Sequence, residues 1–135
     1  MKGEASTLVE KEDTAECVGS GSLLVYATPC MVALMEGAAC EAIEQALAEG
    51  TTTVGMELNI SHLSATPVGL DVWAEAEVTA VEGKIITFSI TAYDEAGKIG
   101  EGTDAEGQPV DAVLHDALRG DFHNYRRHAA LIHAV

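Results

Sequence analysis

The segment ATPCMVALMEGAAC, Ala27 to Cys40, decides how the rest of the chain is read. Thr28-Pro29 is a helix-start signal: threonine can cap a first turn, and proline at the first helical position gives up no hydrogen bond. Beyond it Met31, Val32, Leu34, Met35, Ala38, Ala39, Ile43, Ala46 and Leu47 spread around much of the circumference, until Glu49-Gly50 ends the pattern. A helix apolar on so many sides is wrapped by other structure rather than laid on a surface. One carboxylate, Glu36, sits in its middle. An isolated ionised group is costly to bury, so Glu36 either escapes to solvent or is kept for chemistry.

Three strands are predicted downstream, each alternating as expected of a sheet covered on one face. In Thr53 to Leu63 the apolar positions are Val54, Met56, Leu58 and Ile60; Glu57, Asn59 and Ser61 oppose them. In the second, Leu70, Val72, Ala74, Ala76, Val78 and Ala80 oppose Asp71, Glu75, Glu77 and Thr79, with Trp73 as the exception. In the third, Ile86, Phe88, Ile90 and Ala92 oppose Thr87, Ser89, Thr91 and Tyr93. Glu82-Gly83 and Asp94 to Gly97 read as hairpin turns. Upstream lie a short strand at Ser6 to Glu10, a polar stretch ending in GlySerGlySer, and the apolar run Leu23 to Tyr26. One buried helix followed by an antiparallel meander is an α+β architecture, a sheet curled around the helix.

The character changes after Thr103. GluGlyGlnPro (106 to 109) breaks a strand, and Val110, Val113, Leu114, Ala117 and Leu118 recur at helical spacing. Gly120 interrupts, and Asp121 to Val135 reads as a second, His-rich helix. The chain therefore divides into a domain at 1–103 and a partly helical tail at 104–135.

The 135 residues are enough for one domain with its own core. Net charge is −15, from 22 acidic against 7 basic residues. That argues against nucleic acid, which requires clustered Lys and Arg, and mildly against any polyanionic ligand. No run approaches the roughly 20 apolar residues of a membrane span. The N-terminus lacks the apolar core of a secretory signal, so a cytoplasmic protein is expected. Cys17, Cys30 and Cys40 form no CxxC pair. They read as thiols in a reducing compartment, and Cys30, near the helix start, as a packed thiol.

His62 continues the even series of its strand and is expected on the side of Val54, Met56, Leu58 and Ile60, which the helix should cover. Glu36 and His62 then meet inside one fold or across a subunit boundary. A carboxylate and an imidazole in a partly dry site each have a displaced pKa, as acid–base and nucleophilic catalysis require. The structural alternatives are a hydrogen-bonded core histidine, a solvated glutamate, Thr28 as a helix cap, and Gly55 as a bulge or close-packing site. Thr28 and Glu36, eight residues apart, are separated by roughly 12 Å along a helix, so a ligand, a water chain or a second subunit must join them. His123, His128 and His133 recur every five residues and do not share a helical face, so no metal site is expected. No P-loop, GxGxxG or GxSxG pattern is present.

Three blocks together resemble a known family: VYATPCMVALME, TTTVGMELNISHLSATPVG and AYDEAGKIGEGT. They are similar to the fluoroacetyl-CoA thioesterase-like branch of the hot-dog superfamily, over about residues 7 to 103. The resemblance implies a hot-dog fold, a homodimer whose sheets join edge to edge, and an acyl-CoA substrate, with coenzyme A as part of the substrate and no other cofactor. It implies a catalytic set of Thr28, Glu36 and His62, with the Gly55 N–H near the thioester oxygen. Glu36 would attack the carbonyl or activate water, His62 would handle protons, and Thr28 would orient the carboxylate or the acyl group.

One feature departs from the family. Where members continue the last strand with a His-x-Arg segment, this chain has Asp104 and Glu106. A cation is replaced by carboxylates, although Arg119, Arg126 and Arg127 follow in the tail. The expected activity is hydrolysis of a short-chain acyl-CoA to acid and free CoA. The alternatives are a non-catalytic hot-dog protein that binds acyl-CoA or a small ligand, and hydration or dehydration of an acyl-CoA, for which no hydratase motif is present.

Overall fold

Five strands and one long helix make up most of what the structure, a computed structural model, describes: residues 1–44 and 53–107. In chain order they are β1 (Lys2–Leu8), a 3-10 turn (Lys11–Asp13), α1 (Ala15–Val18), α2 (Thr28–Ile43), β2 (Val54–His62), β3 (Asp71–Glu82), β4 (Ile85–Asp94) and β5 (Gly97–Gly107). The strands form one antiparallel sheet in the order β1-β3-β4-β5-β2. The helix stop at Glu49-Gly50 and the helices predicted beyond residue 109 lie outside the described residues.

The alternation read from the sequence becomes the core. Val72, Ala74 and Ala76 of β3 and Ile86, Phe88, Ile90 and Ala92 of β4 are buried against Met31, Met35, Ala38, Ala39 and Ile43 of α2. A side chain buried as fully as Phe88 contributes about 1.5–3 kcal/mol relative to its exposed state. The helix packs chiefly on β1 and β3. Gly3 permits the closest approach: a Cβ there would fall on the Ala38 carbonyl oxygen and lie 2.8 Å from the Ala42 Cα.

The turns follow their chemistry. Gly83, between β3 and β4, has φ 62, and Gly97, opening β5, has φ 139. Asp94 Oδ1 accepts the N–H groups of Ala96 at 2.8 Å and Gly97 at 3.2 Å, closing the second hairpin. An aspartate that bonds the backbone two and three residues on is a turn former.

Three local expectations are corrected. The first strand is Lys2–Leu8 rather than 6–10. In β3 the register shifts between Val78 and Ala80, so Ala80 pairs with Thr87 of the outer face instead of continuing the inner series. The last strand runs to Gly107, so Asp104 and Glu106 occupy paired positions within the sheet.

Candidate active site

Thr28 is not a cap. The N-cap of α2 is Ala27, at φ −74 and ψ 140, with no side-chain cap bond, and Pro29 follows Thr28 inside the first turn. The start of the helix is fixed instead by backbone bonds: Ala27 N–H to the Asp13 carbonyl and Tyr26 N–H to that of Thr66, each 2.8 Å. The Thr28 hydroxyl is therefore free for another partner. Its Oγ1 lies 2.7 Å from Nδ1 of His62.

His62 ends β2 opposite Gly100 of β5. A Cβ at Gly100 would lie 2.6 Å from the Met31 Sδ, so the glycine leaves the space that Met31 fills beside the histidine strand. After His62 the chain is pinned by Leu63 and Ser64, whose N–H groups reach the Ile99 carbonyl at 2.7 and 3.2 Å. Burial holds the imidazole pKa below its ordinary value, which favours the neutral ring at pH 7. Its Nε2 is buried with no hydrogen-bond partner among the described residues. Thr28 and His62 line a cavity of about 280 Å³ with Tyr26, Leu63, Ser64 and Ala65.

Glu36 meets Gly55, not His62. A Cβ built on Gly55 would lie 3.3 Å from Glu36 Oε2, so the carboxylate rests against the bare backbone of β2. A bulge produces this placement. The pairing with β5 shifts between Gly55 and Glu57, leaving Met56 as the extra residue. The simple alternation expected for Val54 to Ile60 is thereby corrected. Gly55 pairs with Glu106, Leu58 with Asp104, Ile60 with Gly102 and His62 with Gly100, which puts Gly55 in phase with His62 on the helix-facing side. Among the described residues no hydrogen bond or ion pair joins Glu36 to His62.

The two pairs mark the ends of one strip. From His62 to Gly55 the helix-facing positions of β2 and β5 are Leu58, Ile60, Gly102 and Asp104. Because α2 sits over the other half of the sheet, this strip is only partly covered, and Leu58 is 42% exposed despite facing inward.

Sequence reasoning missed the carboxyl groups on this strip because it ended the strand at Thr103. The alternation Gly100, Gly102, Asp104, Glu106 was the available signal. Glu106 is buried and accepts the Thr53 hydroxyl at 2.8 Å. Burial pushes its pKa up, opposed by that bond. Asp104 is 1% exposed, and neither carboxyl oxygen has a partner among the described residues. Burial, then the charges of Glu106 and Glu36, raise its pKa to about 7.

The described residues contain no group of three or more His, Cys, Asp or Glu able to hold a metal ion. No described helix is long and apolar enough to cross a membrane. Cys17, Cys30 and Cys40 are free thiols. Cys30 is half-buried, and burial, then the charge of Asp13, pushes its pKa up.

A single helix held against a curved antiparallel sheet, with polar groups gathered where helix meets edge strand, is a hot-dog arrangement. The chain superposes on a hot-dog-like protein from Thermanaerovibrio acidaminovorans with a TM-score of 0.76, over 90% of both chains, at 24% identity. The family described as fluoroacetyl-CoA-specific thioesterase, FlK, matches residues 9–106. The chain belongs to that family. It is 39% identical to the fluoroacetyl-CoA thioesterase of Streptantibioticus cattleyicolor over 91 residues, which are 67% of this chain and 62% of that protein. It therefore spans less than two thirds of that relative. The solved structure of the fluoroacetyl-CoA thioesterase FlK matches with a TM-score of 0.79 and 27% identity, covering 89% of this chain and 93% of that one.

Proposed function

We propose that this protein is an acyl-CoA thioesterase that hydrolyses a short-chain acyl-CoA to the free acid and CoA. Membership of the thioesterase family supports the reaction class. The observation that carries the assignment of residues is the strip bounded by Glu36–Gly55 at one end and Thr28–His62 at the other.

In this reading the thioester carbonyl lies over Gly55, whose N–H stabilises the oxyanion. Glu36, in contact with that backbone, either attacks the carbonyl carbon to form an anhydride, which water then cleaves to the free acid and the Glu36 carboxylate, or takes a proton from the attacking water. The C–S bond breaks and the electron pair leaves on the thiolate of CoA. His62 of the same chain stands too far along β2 to reach that sulfur, so in this reading the imidazole that exchanges protons with water and the departing sulfur, neutral at the outset, comes from the second chain of a homodimer. Thr28 fixes the ring through Nδ1. Thr28 and Glu36 lie roughly 12 Å apart along the helix axis, so one chain does not bring Glu36 and His62 to one thioester, and a second subunit would have to complete the site.

Two further expectations belong to the same reading. A homodimer would place a second chain along the β2 edge, where the partly exposed Leu58 and Met56 offer apolar surface. A cytoplasmic location is supported by three thiols with no disulfide among them.

The second reading, an acyl-CoA or small-ligand binding protein without catalysis, is favoured by Asp104 and Glu106, carboxyl groups that stand where the family resemblance leads one to expect a His-x-Arg segment. Following free thiol on mixing with acetyl-CoA and a panel of short acyl-CoAs separates the two. Turnover supports hydrolysis; saturable binding without thiol release supports the binding protein.

A further inference from the structure

Three carboxyl groups, Glu36, Asp104 and Glu106, lie along the helix-facing strip of β2 and β5, and their surroundings differ. Glu36 is half-buried and reaches the open side. Glu106 is buried but accepts a hydrogen bond from Thr53. Asp104 is 1% exposed, and both of its oxygens are unpartnered among the described residues. Its neighbours in register are apolar, Leu58 on β2 and Phe88 on β4. The charges that act on it are Glu106 on its own strand and Glu36 on α2. The Cys40 thiol, one turn beyond Glu36, sits in the same negative field. A buried ionised carboxylate without a partner is far more costly than the neutral acid, and clustered like charges add to that cost.

We propose that Asp104 is a positioning residue that holds a proton while the site works, keeping a further negative charge off the strip that Glu36 and Glu106 already occupy, and that its ionisation switches hydrolysis off. The proposal rests on the thioesterase reading above. Where environments push neighbouring titratable groups apart, each takes a distinct protonation role. Glu36 is the base or nucleophile of the proposed reaction, and Asp104 the silent acid. A further charge on this strip opposes the oxyanion that forms over Gly55 and repels the phosphates of CoA. The rise of the Asp104 pKa to about 7 puts the loss at neutral to alkaline pH.

The test compares wild type, Asp104→Asn and Asp104→Glu for kcat/KM with acetyl-CoA and for Tm, both from pH 5.5 to 9.5. Wild type is expected to lose about tenfold in kcat/KM per pH unit above the ionisation, as a single essential proton requires. Asp104→Asn, neutral throughout, shows no such limb, whereas Asp104→Glu retains it. Asp104→Asn also has the higher Tm at pH 8.5, with the gap narrowing by about half toward pH 5.5, between the folded and unfolded ionisations. Superimposed pH profiles for wild type and Asp104→Asn overturn the proposal, as does a lower Tm for Asp104→Asn at pH 8.5, which marks an ionised and paired Asp104. If no variant releases thiol at any pH but the Tm difference appears, the hydrolase reading fails while proton retention by Asp104 stands. Thiol release with no difference in Tm or profile rejects the Asp104 proposal alone.

Discussion

Thr28 Oγ1 and His62 Nδ1, 34 residues apart in sequence, lie 2.7 Å from each other, joining the first residue of the helix to the last residue of the edge strand. Removing the hydroxyl frees the imidazole to turn. Thr28→Ala is expected to lower kcat/KM by about fivefold, in line with a net hydrogen bond of roughly 1 kcal/mol. Thr28→Ser, which keeps Oγ, retains most of the activity. Steady-state thiol release on the three proteins checks this; equal losses for serine and alanine would assign the effect to packing.

Gly55 tests the Glu36 contact without disturbing the fold. Its φ is not in the left-handed region, so alanine fits the backbone. The added Cβ would stand 3.3 Å from Glu36 Oε2, tight enough to move the carboxylate at the end of its flexible side chain. Gly55→Ala should therefore keep or slightly raise Tm, because the unfolded chain loses freedom. kcat should fall by about 10²-fold, the scale of a misplaced reacting group. Parallel melting and kinetic measurements make the comparison, and a fall in Tm without a fall in kcat would count against the contact.

The histidine sets the acid side of the pH response. Its folded pKa lies below the ordinary value of 6.5 because burial disfavours the imidazolium. The native state thus binds fewer protons here than the unfolded chain. Its stabilising contribution is whole above about pH 6.5 and is lost as pH falls through the lower, folded value. Wild type should lose more Tm between pH 7 and pH 5 than His62→Gln, and the acid limb of kcat/KM should fall below pH 6.5. An acid limb centred above pH 6.5 would contradict the burial argument.

Much of this architecture was legible in the sequence because its signals are local. Ile86, Phe88, Ile90 and Ala92 alternate without interruption, and Asp94 and Gly97 carry the turn chemistry that joins β4 to β5. The breadth of apolar residues from Met31 to Ile43 marked the helix as wrapped. What escaped depends on pairing between strands. The bulge at Met56 changes the phase of β2, and nothing in that strand's own pattern requires it, so Gly55 rather than Met56 faces the helix. Thr28 read as a cap because capping is the common fate of threonine before proline; Ala27 takes that place once the backbone bonds to Asp13 and Thr66 are made. Asp104 and Glu106 looked like the start of a tail, since acidic residues seldom line a buried strand face without partners.

Glu36→Gln examines the central claim most directly. The substitution keeps size and hydrogen bonding but removes the carboxylate beside Gly55. With a panel of short acyl-CoAs, thiol release by wild type should be measurable, and kcat for Glu36→Gln should fall by about 10²–10⁴-fold with Tm little changed. Hydrolysis by Glu36→Gln at the wild-type rate would contradict the account.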